Sequence, residues 1–150
     1  MTALAADRNT PRRQGDLLNG LLAASVAVFG GAIVMRNDAG YLTKGATATG
    51  LVGVGVAQER KTGGASAGDE TLNYRKGIFR FANSASTDEI TIAEIGKLCF
   101  VVDDQTVAKT DGSAARSPAG FVADVDAIGV WVEFDETRVQ SHLAGLANPV

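Results

Sequence analysis

Two serines and a lysine near the middle of the chain are the residues whose types could carry out catalysis. Ser113 and Ser117 follow Lys109 in or beside one polar loop, and a serine activated by a neighbouring lysine can act as a nucleophile in hydrolysis. Polar loops commonly carry such residues, and the sequence shows neither a pair of catalytic carboxylates nor a nucleotide-binding motif. The residues therefore favour a protein that is not an enzyme, with a serine–lysine hydrolase as one alternative.

Residue types that bind metal ions are few and scattered. His142 is the only histidine and has no cysteine near it, so a solvated side chain accounts for it. Acidic residues cluster at 103–104 and at Asp124 and Asp126, but without the regular spacing of oxygen ligands in an EF-hand loop. Cys99 is the only cysteine, and its apolar run indicates a small buried hydrophobe. We expect no metal site and no cofactor.

The stretch from residue 97 to residue 134 predicts closely connected antiparallel strands. Short apolar runs alternate there with acidic and glycine-containing turns. Residues 98–109 predict a hairpin whose turn lies at 103–105, and further strands are predicted at 120–126 and 129–134. The side chains expected to share one face of these last two strands are Phe121, Ala123 and Val125 in the first and Val130, Val132 and Phe134 in the second.

Shorter strands are predicted upstream, at residues 25–29, 32–35, 41–43 and 51–57. In the last of these, the valines share one face, whereas Gly53, Gly55 and Ala57 leave the other almost bare, so another segment is expected to pack closely against it. A loop rich in glycine, alanine and serine at 58–69 is expected to be mobile. Residues 71–81 predict one long strand with a β-bulge at Gly77, because the apolar positions change parity there.

Two helical segments are predicted near the end of the chain. Thr91 and Glu94 have the spacing of a capping box, which predicts a brief helical turn because Gly96 follows at once. Residues 135–146 predict a short amphipathic helix, with Val139, Leu143 and Leu146 at helical spacing. This helix could pack on its own domain or on a neighbouring molecule.

Composition limits the class of protein. The chain has 150 residues, of which 45% are hydrophobic, and it contains eighteen glycines but only three prolines. This length and composition favour one domain of mainly β structure, a small barrel or a sandwich of the β-tulip kind. A net charge of −3 gives no general reason to bind nucleic acid. The N-terminus does not have the pattern of a signal peptide, and no segment is apolar enough to span a membrane.

The predicted organisation has three parts. Residues 1–16 are polar and basic and predict a flexible N-terminal arm, because they cannot bury enough apolar surface to become ordered alone. Residues 17–134 form the β-rich domain, and residues 135–150 form a C-terminal tail or short helix. We expect a protein that is made in the cytoplasm and does not enter a membrane.

Five segments of this sequence, in this order, resemble a known family. They are GGAIVMRNDAGYLTKG, ATGLVGVGVAQER, YRKGIFRFANS, IGKLCFVVDDQTVAKTDG and AGFVADVDAIGVWVEF. Together they are similar to the small capsid decoration, or cement, proteins of tailed bacteriophages and Mu-like prophages. The similarity covers about residues 17–134, and its most specific parts are the DDQTVAKTDG hairpin and the V-D-x-x-G-V-W-V pattern of the closing strand.

The resemblance implies a structural virion protein. Members of this family are compact β-rich domains that bind the outside of the expanded phage head, commonly as trimers, and stabilise contacts between major capsid subunits. It implies that the partners are the major capsid protein and further copies of this chain. It also implies a location on the outer surface of the capsid, after synthesis in the cytoplasm of the bacterial host.

Two groups of residues are candidates for these contacts. Arg8, Pro11, Arg12 and Arg13 belong to the arm, which could order on the shell by adding a strand to an exposed edge or by placing arginines against shell carboxylates. Gly53, Gly55 and Trp131 are candidates for packing between subunits, with a role in the core as the alternative. A carbohydrate-binding or host-adhesion module of a virion is the second functional hypothesis, and it requires an exposed aromatic platform.

Overall fold

The computed structural model describes residues 2–13 and 15–147, which contain twelve strands, two single 3-10 turns and one α-helix. The strands are β1 (Leu17–Leu21), β2 (Ala27–Val28), β3 (Ile33–Arg36), β4 (Leu42–Lys44), β5 (Val52–Ala57), β6 (Lys61–Thr62), β7 (Thr71–Arg75), β8 (Ile78–Asn83), β9 (Leu98–Val101), β10 (Thr106–Ala108), β11 (Pro118–Val125) and β12 (Val130–Glu133). The 3-10 turns span Ser86–Asp88 and Ile92–Glu94, and helix α1 spans Glu136–Ala147.

The strands form two larger units and one short ribbon. An open antiparallel sheet has the order β1-β7-β5-β3-β4, and β2 pairs with β6. Strands β8 to β12 pair in the order β10-β8-β12-β11-β9, and β9 pairs with β10 to complete the ring. Strand β5 of the open sheet packs against β11 of the ring. The predicted mainly β fold is therefore confirmed.

The hairpin and the capping box have the predicted local structure. Strands β9 and β10 pair in antiparallel fashion, and the Asp103 carboxylate accepts a hydrogen bond from the Gln105 amide at 2.9 Å. Glu94 Oε2 accepts a hydrogen bond from the Thr91 amide at 2.6 Å, and Thr91 Oγ1 accepts one from the Ala93 amide. Both motifs depend on side chains within a few residues of the amides that they bind.

The prediction of one continuous strand at 71–81 is wrong. Strand β7 belongs to the open sheet, β8 belongs to the ring, and Gly77 lies between them with a positive φ of 143°. Leu72 and Tyr74 pack into the core under the open sheet, whereas Phe81 packs into the core of the ring. The change of apolar parity marks a change of sheet, since the left-handed conformation at glycine redirects the chain.

Two buried clusters fill the molecule. The ring core includes Phe81 and Phe134, whose rings meet edge to face with centroids 5.8 Å apart. The helix-covered core lies under the open sheet and includes Tyr74, Phe121 and Val139. Helix α1 packs against β5 and β11. Leu143 packs against this second core as predicted, whereas Leu146 is exposed.

Strands β5 and β11 contribute to both cores, which corrects two predicted faces. In β11, Phe121 enters the helix-covered core, but Val125 packs against the ring core, because the pairing with β12 shifts between Val122 and Asp124. In β5, Val52 and Val54 enter the helix-covered core, whereas Val56 enters the ring core. The pairing of β3 with β5 also shifts register. Each irregularity moves side chains to the other face of the strand.

The segment at 58–69 is more regular than predicted. Residues Lys61–Thr62 form β6 and pair with β2, and the Gly63 amide donates to the Val26 carbonyl at 2.8 Å. The Asp69 carboxylate accepts a hydrogen bond from the Ser66 amide at 2.9 Å. No helix among the described residues is long and apolar enough to cross a membrane.

Candidate functional site

The N-terminal arm is the feature that differs most from the rest of the chain. Residues 2–13 contain no helix or strand, and all of them are exposed, including Arg8, Pro11, Arg12 and Arg13. Met1 and Gln14 lie outside the described residues. The arm joins the open sheet at Asp16, whose carboxylate contacts the Arg75 guanidinium at 2.7 Å. The structure therefore leaves the basic side chains of the arm accessible to a partner.

Gly53 and Gly55 are buried within the chain. A Cβ atom added at Gly53 would lie 2.2 Å from the Ala119 carbonyl oxygen, and one at Gly55 would lie 2.3 Å from the Arg75 carbonyl oxygen. The expected close packing against the bare face of this strand is thus present, but its partners are β11 and β7 of the same molecule. These two glycines offer no surface for contact between subunits.

Trp131 lies half-buried on the outer face of β12, within a group of charged side chains. Its indole N–H donates to the Asp126 carboxylate at 2.9 Å, and the Arg80 guanidinium lies 5.3 Å from the ring centroid. An arginine over the ring competes with any sugar for the same aromatic face. Trp131 remains a candidate for surface contacts, but its ring is not a free aromatic platform.

Asp126 organises the turn between β11 and β12. Its carboxylate accepts hydrogen bonds from the indole of Trp131 and from the amides of Ile128 and Gly129, at 2.8 to 2.9 Å. The Trp131 hydrogen bond, the two backbone amides and the nearby Arg80 charge together lower the pKa of Asp126 to about 2. The carboxylate is therefore ionised at neutral pH, and its lone pairs are used within the turn rather than presented to a metal ion.

Two of the residues considered for hydrolysis, Ser117 and Lys109, have separate partners. The Ser117 hydroxyl donates to the Ala48 carbonyl at 2.6 Å and accepts a hydrogen bond from the Leu51 amide. The Lys109 ammonium lies 3.8 Å from Glu94. Because Ser117 is buried and fixes the 48–51 segment, its position is explained by a structural role.

The other chemistry-bearing side chains also have local explanations. His142 is exposed, with its ring edge to face against Phe121 at a centroid distance of 6.0 Å. Cys99 is fully buried, and burial raises the pKa of its thiol to about 12, which opposes reactivity as a thiolate. Within the part of the chain that the structure describes, no group of three or more histidine, cysteine or acidic residues could hold a metal ion.

A cleft of about 470 Å³ lies between helix α1 and the loops at residues 37–40 and 49–52. Two arginines line it, but each already contacts a carboxylate: Arg36 contacts Glu136 at 2.8 Å, and Arg116 contacts Asp88 at 3.3 Å. Burial disfavours the charged form of Arg36, yet the hydrogen bond and charge of Glu136 outweigh it and raise the pKa of Arg36. The cleft therefore has no unpaired cation for an anionic ligand.

Three exposed apolar residues were not predicted as surface features. Ile92 is 76% exposed, Ile128 is 73% exposed and Phe29 is 52% exposed. Their position in the sequence could have identified them as exposed, since each stands in or beside a turn. A large apolar side chain at a turn has no core face to point towards. These three residues form exposed apolar positions on the described surface.

This chain matches no protein-family model, no curated protein and no solved structure. The resemblance to capsid decoration proteins therefore rests on the sequence motifs alone.

Proposed function

We propose that this protein is a capsid decoration protein, which binds the outside of an expanded phage head and stabilises contacts between major capsid subunits. The observation that carries the proposal is the fully exposed basic arm at residues 2–13, attached to a body of paired strands. An arm of this kind can become ordered on a partner surface, while the body supplies a fixed shape beside it. The sequence motifs across residues 17–134 point to the same function.

The mechanism is physical and makes no covalent bond. A protein that binds only the expanded shell lowers the free energy of that state by mass action, and so opposes its disruption by the pressure of packaged DNA. Arg8, Arg12 and Arg13 would contact carboxylates of the major capsid protein, and Pro11 would favour an extended arm. A homo-oligomer, with a trimer as the expected form, would engage several shell subunits at once and gain affinity from multiple attachment.

The test measures binding to two states of the head. Purified protein is mixed with expanded, undecorated heads and with unexpanded procapsids of the same phage, both are pelleted, and bound copies are counted. We expect saturable binding to expanded heads alone, at a fixed ratio to the shell subunit. Absence of binding to either particle would contradict the proposal, and a glycan array would then test the host-adhesion module.

Two variants address the arm within this assay. Deletion of residues 2–13 removes the exposed segment and should reduce binding at least tenfold, whereas a triple change of Arg8, Arg12 and Arg13 to glutamine removes only its positive charge. If carboxylates are the partners, the triple variant should bind more weakly and the wild-type protein should lose affinity as salt is added. Unchanged binding by the deletion variant would exclude the arm as the shell contact.

A further inference from the structure

A groove lined by both polar and apolar residues lies at the end of the ring where β8 ends and β12 begins. It has a volume of about 440 Å³ and runs between the 3-10 turn at Ile92–Glu94 and the turn that connects β11 to β12. Ile92 and Ile128 stand on its two sides, and both are largely exposed. The charged side chains that line it are Glu89 and Asp126, with no lysine or arginine among the lining residues. We call this feature the isoleucine groove.

Both walls of the isoleucine groove are fixed before any partner arrives. The Ile128 amide donates to Asp126, and the capping box of Thr91 and Glu94 holds the turn that carries Ile92. A preorganised apolar surface loses little conformational entropy on binding. Large apolar side chains held rigidly in water are a feature of protein–protein contacts.

A second apolar feature has the opposite electrostatic character. Phe29 stands half-exposed at the end of β2, and the guanidinium of Arg60 lies 4.8 Å from its ring centroid. Arg60 takes part in none of the ion pairs formed by the described residues. The pairing of β2 with β6 and the hydrogen bond from the Ala32 amide to the Phe29 carbonyl fix this position. We call Phe29 and Arg60 the phenylalanine knob.

We propose that the phenylalanine knob of one copy of this chain occupies the isoleucine groove of a second copy. The Phe29 ring would lie between Ile92 and Ile128, and Arg60 would stand beside Glu89. Aromatic residues and arginine are both enriched at protein interfaces, so an aromatic anchor between two isoleucines with an arginine at its rim fits such a contact. The groove contributes the Glu89 carboxylate, which forms none of the ion pairs among the described residues, and the knob contributes the Arg60 guanidinium, so the contact is complementary in charge.

The positions of knob and groove allow every copy to use both. Gly31, two residues after Phe29, lines a shallow depression together with Arg80 and Ile128, so the two features lie on neighbouring parts of the surface. Repetition of a contact between neighbouring surfaces can close into a small symmetric assembly. This inference specifies the self-association in the proposed function, but it requires no phage head and can be tested without one.

The test uses sedimentation of the full-length protein in the absence of heads. The wild-type protein should be oligomeric, whereas Phe29→Asp and Ile128→Asp should each be monomeric with unchanged circular dichroism. Ile78→Asp is the matched control, since Ile78 lies at the opposite end of β8 and is 52% exposed, as Phe29 is, and it should remain oligomeric. Loss of oligomers in both variants but not in the control would locate the contact at the knob and the groove.

Mixing the two monomeric variants gives the decisive result. Ile128→Asp keeps an intact knob and Phe29→Asp keeps an intact groove, so an equimolar mixture should form a one-to-one heterodimer. A charge exchange adds a second readout: Arg60→Glu should weaken association at least tenfold, and Glu89→Arg in the same chain should restore it.

Three outcomes would overturn the proposal. The first is a wild-type protein that stays monomeric even at roughly 100 μM, which is well above the Kd of most specific contacts. The second is that the Phe29→Asp or Ile128→Asp variant stays oligomeric. The third is that the mixture of these two variants stays monomeric. If the wild-type protein is monomeric and Ile128→Asp loses binding to heads, the isoleucine groove is a shell contact instead. Head binding is measured separately, so failure of self-association and failure of the decoration function are distinguishable.

Discussion

In the ring of β8 to β12 every strand has two paired neighbours, whereas the open sheet has two edge strands, β1 and β4. The ring core contains side chains of the ring strands and of β3 and β5 of the open sheet, and it includes the edge-to-face pair of Phe81 and Phe134. The helix-covered core needs α1, whose described contribution to it is the fully buried side chain of Val139 and the half-buried side chain of Leu143. We therefore expect the ring core to resist opening more strongly than the helix-covered core.

The difference indicates where local opening should occur. Opening the ring breaks hydrogen bonds on both sides of a strand, whereas opening the second core requires only that helix α1 leaves its site. That helix is held in its first turn by the Arg36–Glu136 ion pair and by the buried Val139, with Arg138 against the Phe121 ring. We expect the ring to determine global stability and the helix to determine local stability.

The largest expected effect follows from truncation in the ring core. Phe81→Ala should lower the free energy of unfolding by about 4 kcal/mol, because it removes a buried aromatic side chain and leaves a cavity. Urea unfolding followed by circular dichroism and by Trp131 fluorescence measures the change. Ile78→Ala on the same strand is the control, and since Ile78 is half-exposed its cost should be below about 1 kcal/mol. Equal costs for the two variants would contradict the assignment of the ring core.

The second effect tests the contact between the two units. Gly53→Ala places a Cβ 2.2 Å from the Ala119 carbonyl oxygen, so β5 and β11 must separate, and the free energy of unfolding should fall by about 3 kcal/mol. Gly145→Ala is the matched change, because Gly145 is exposed in α1 with nothing within 4 Å of an added Cβ, and it should be neutral or stabilise by up to about 1 kcal/mol. Thermal unfolding measures the change in stability of both variants. An unchanged stability in Gly53→Ala would show that β5 and β11 can move apart freely.

Local signals in the sequence predicted many elements of this fold. The alternation at Val130 and Val132, the hairpin of β9 and β10, and the capping box of Thr91 and Glu94 each depend on neighbours within a few residues. Strand β1 was not predicted, since its residues LLNGL combine an apolar run with a glycine and an asparagine, and only pairing with β7 makes it extended.

Packing between segments distant in sequence determines which core each side chain of β5 and β11 enters, and local patterns did not predict this. The division of β5 and β11 between two cores depends on register shifts against β3 and β12, and a shift of one residue reverses the faces of a strand without any change in its composition. The exposure of individual apolar side chains was harder to predict from the sequence than the strands were. Ile92 and Ile128 are apolar and would be assigned to a core by composition alone, whereas the turns that carry them hold both side chains in solvent.

The smallest effect tests the helix-covered core by itself. Val139→Ala removes two buried methyl groups from the contact between α1 and the open sheet, which should cost about 2 kcal/mol of the local free energy that holds the helix in place. Amide hydrogen exchange should then become roughly tenfold faster or more within residues 136–147, while the amides of β8 and β12 keep their wild-type rates. Ser141→Ala, an exposed change on the same helix, should leave both sets of rates unaltered. If Val139→Ala instead accelerated exchange in helix and ring alike, the two cores would open as one cooperative unit, and their different enclosure would have no consequence for stability.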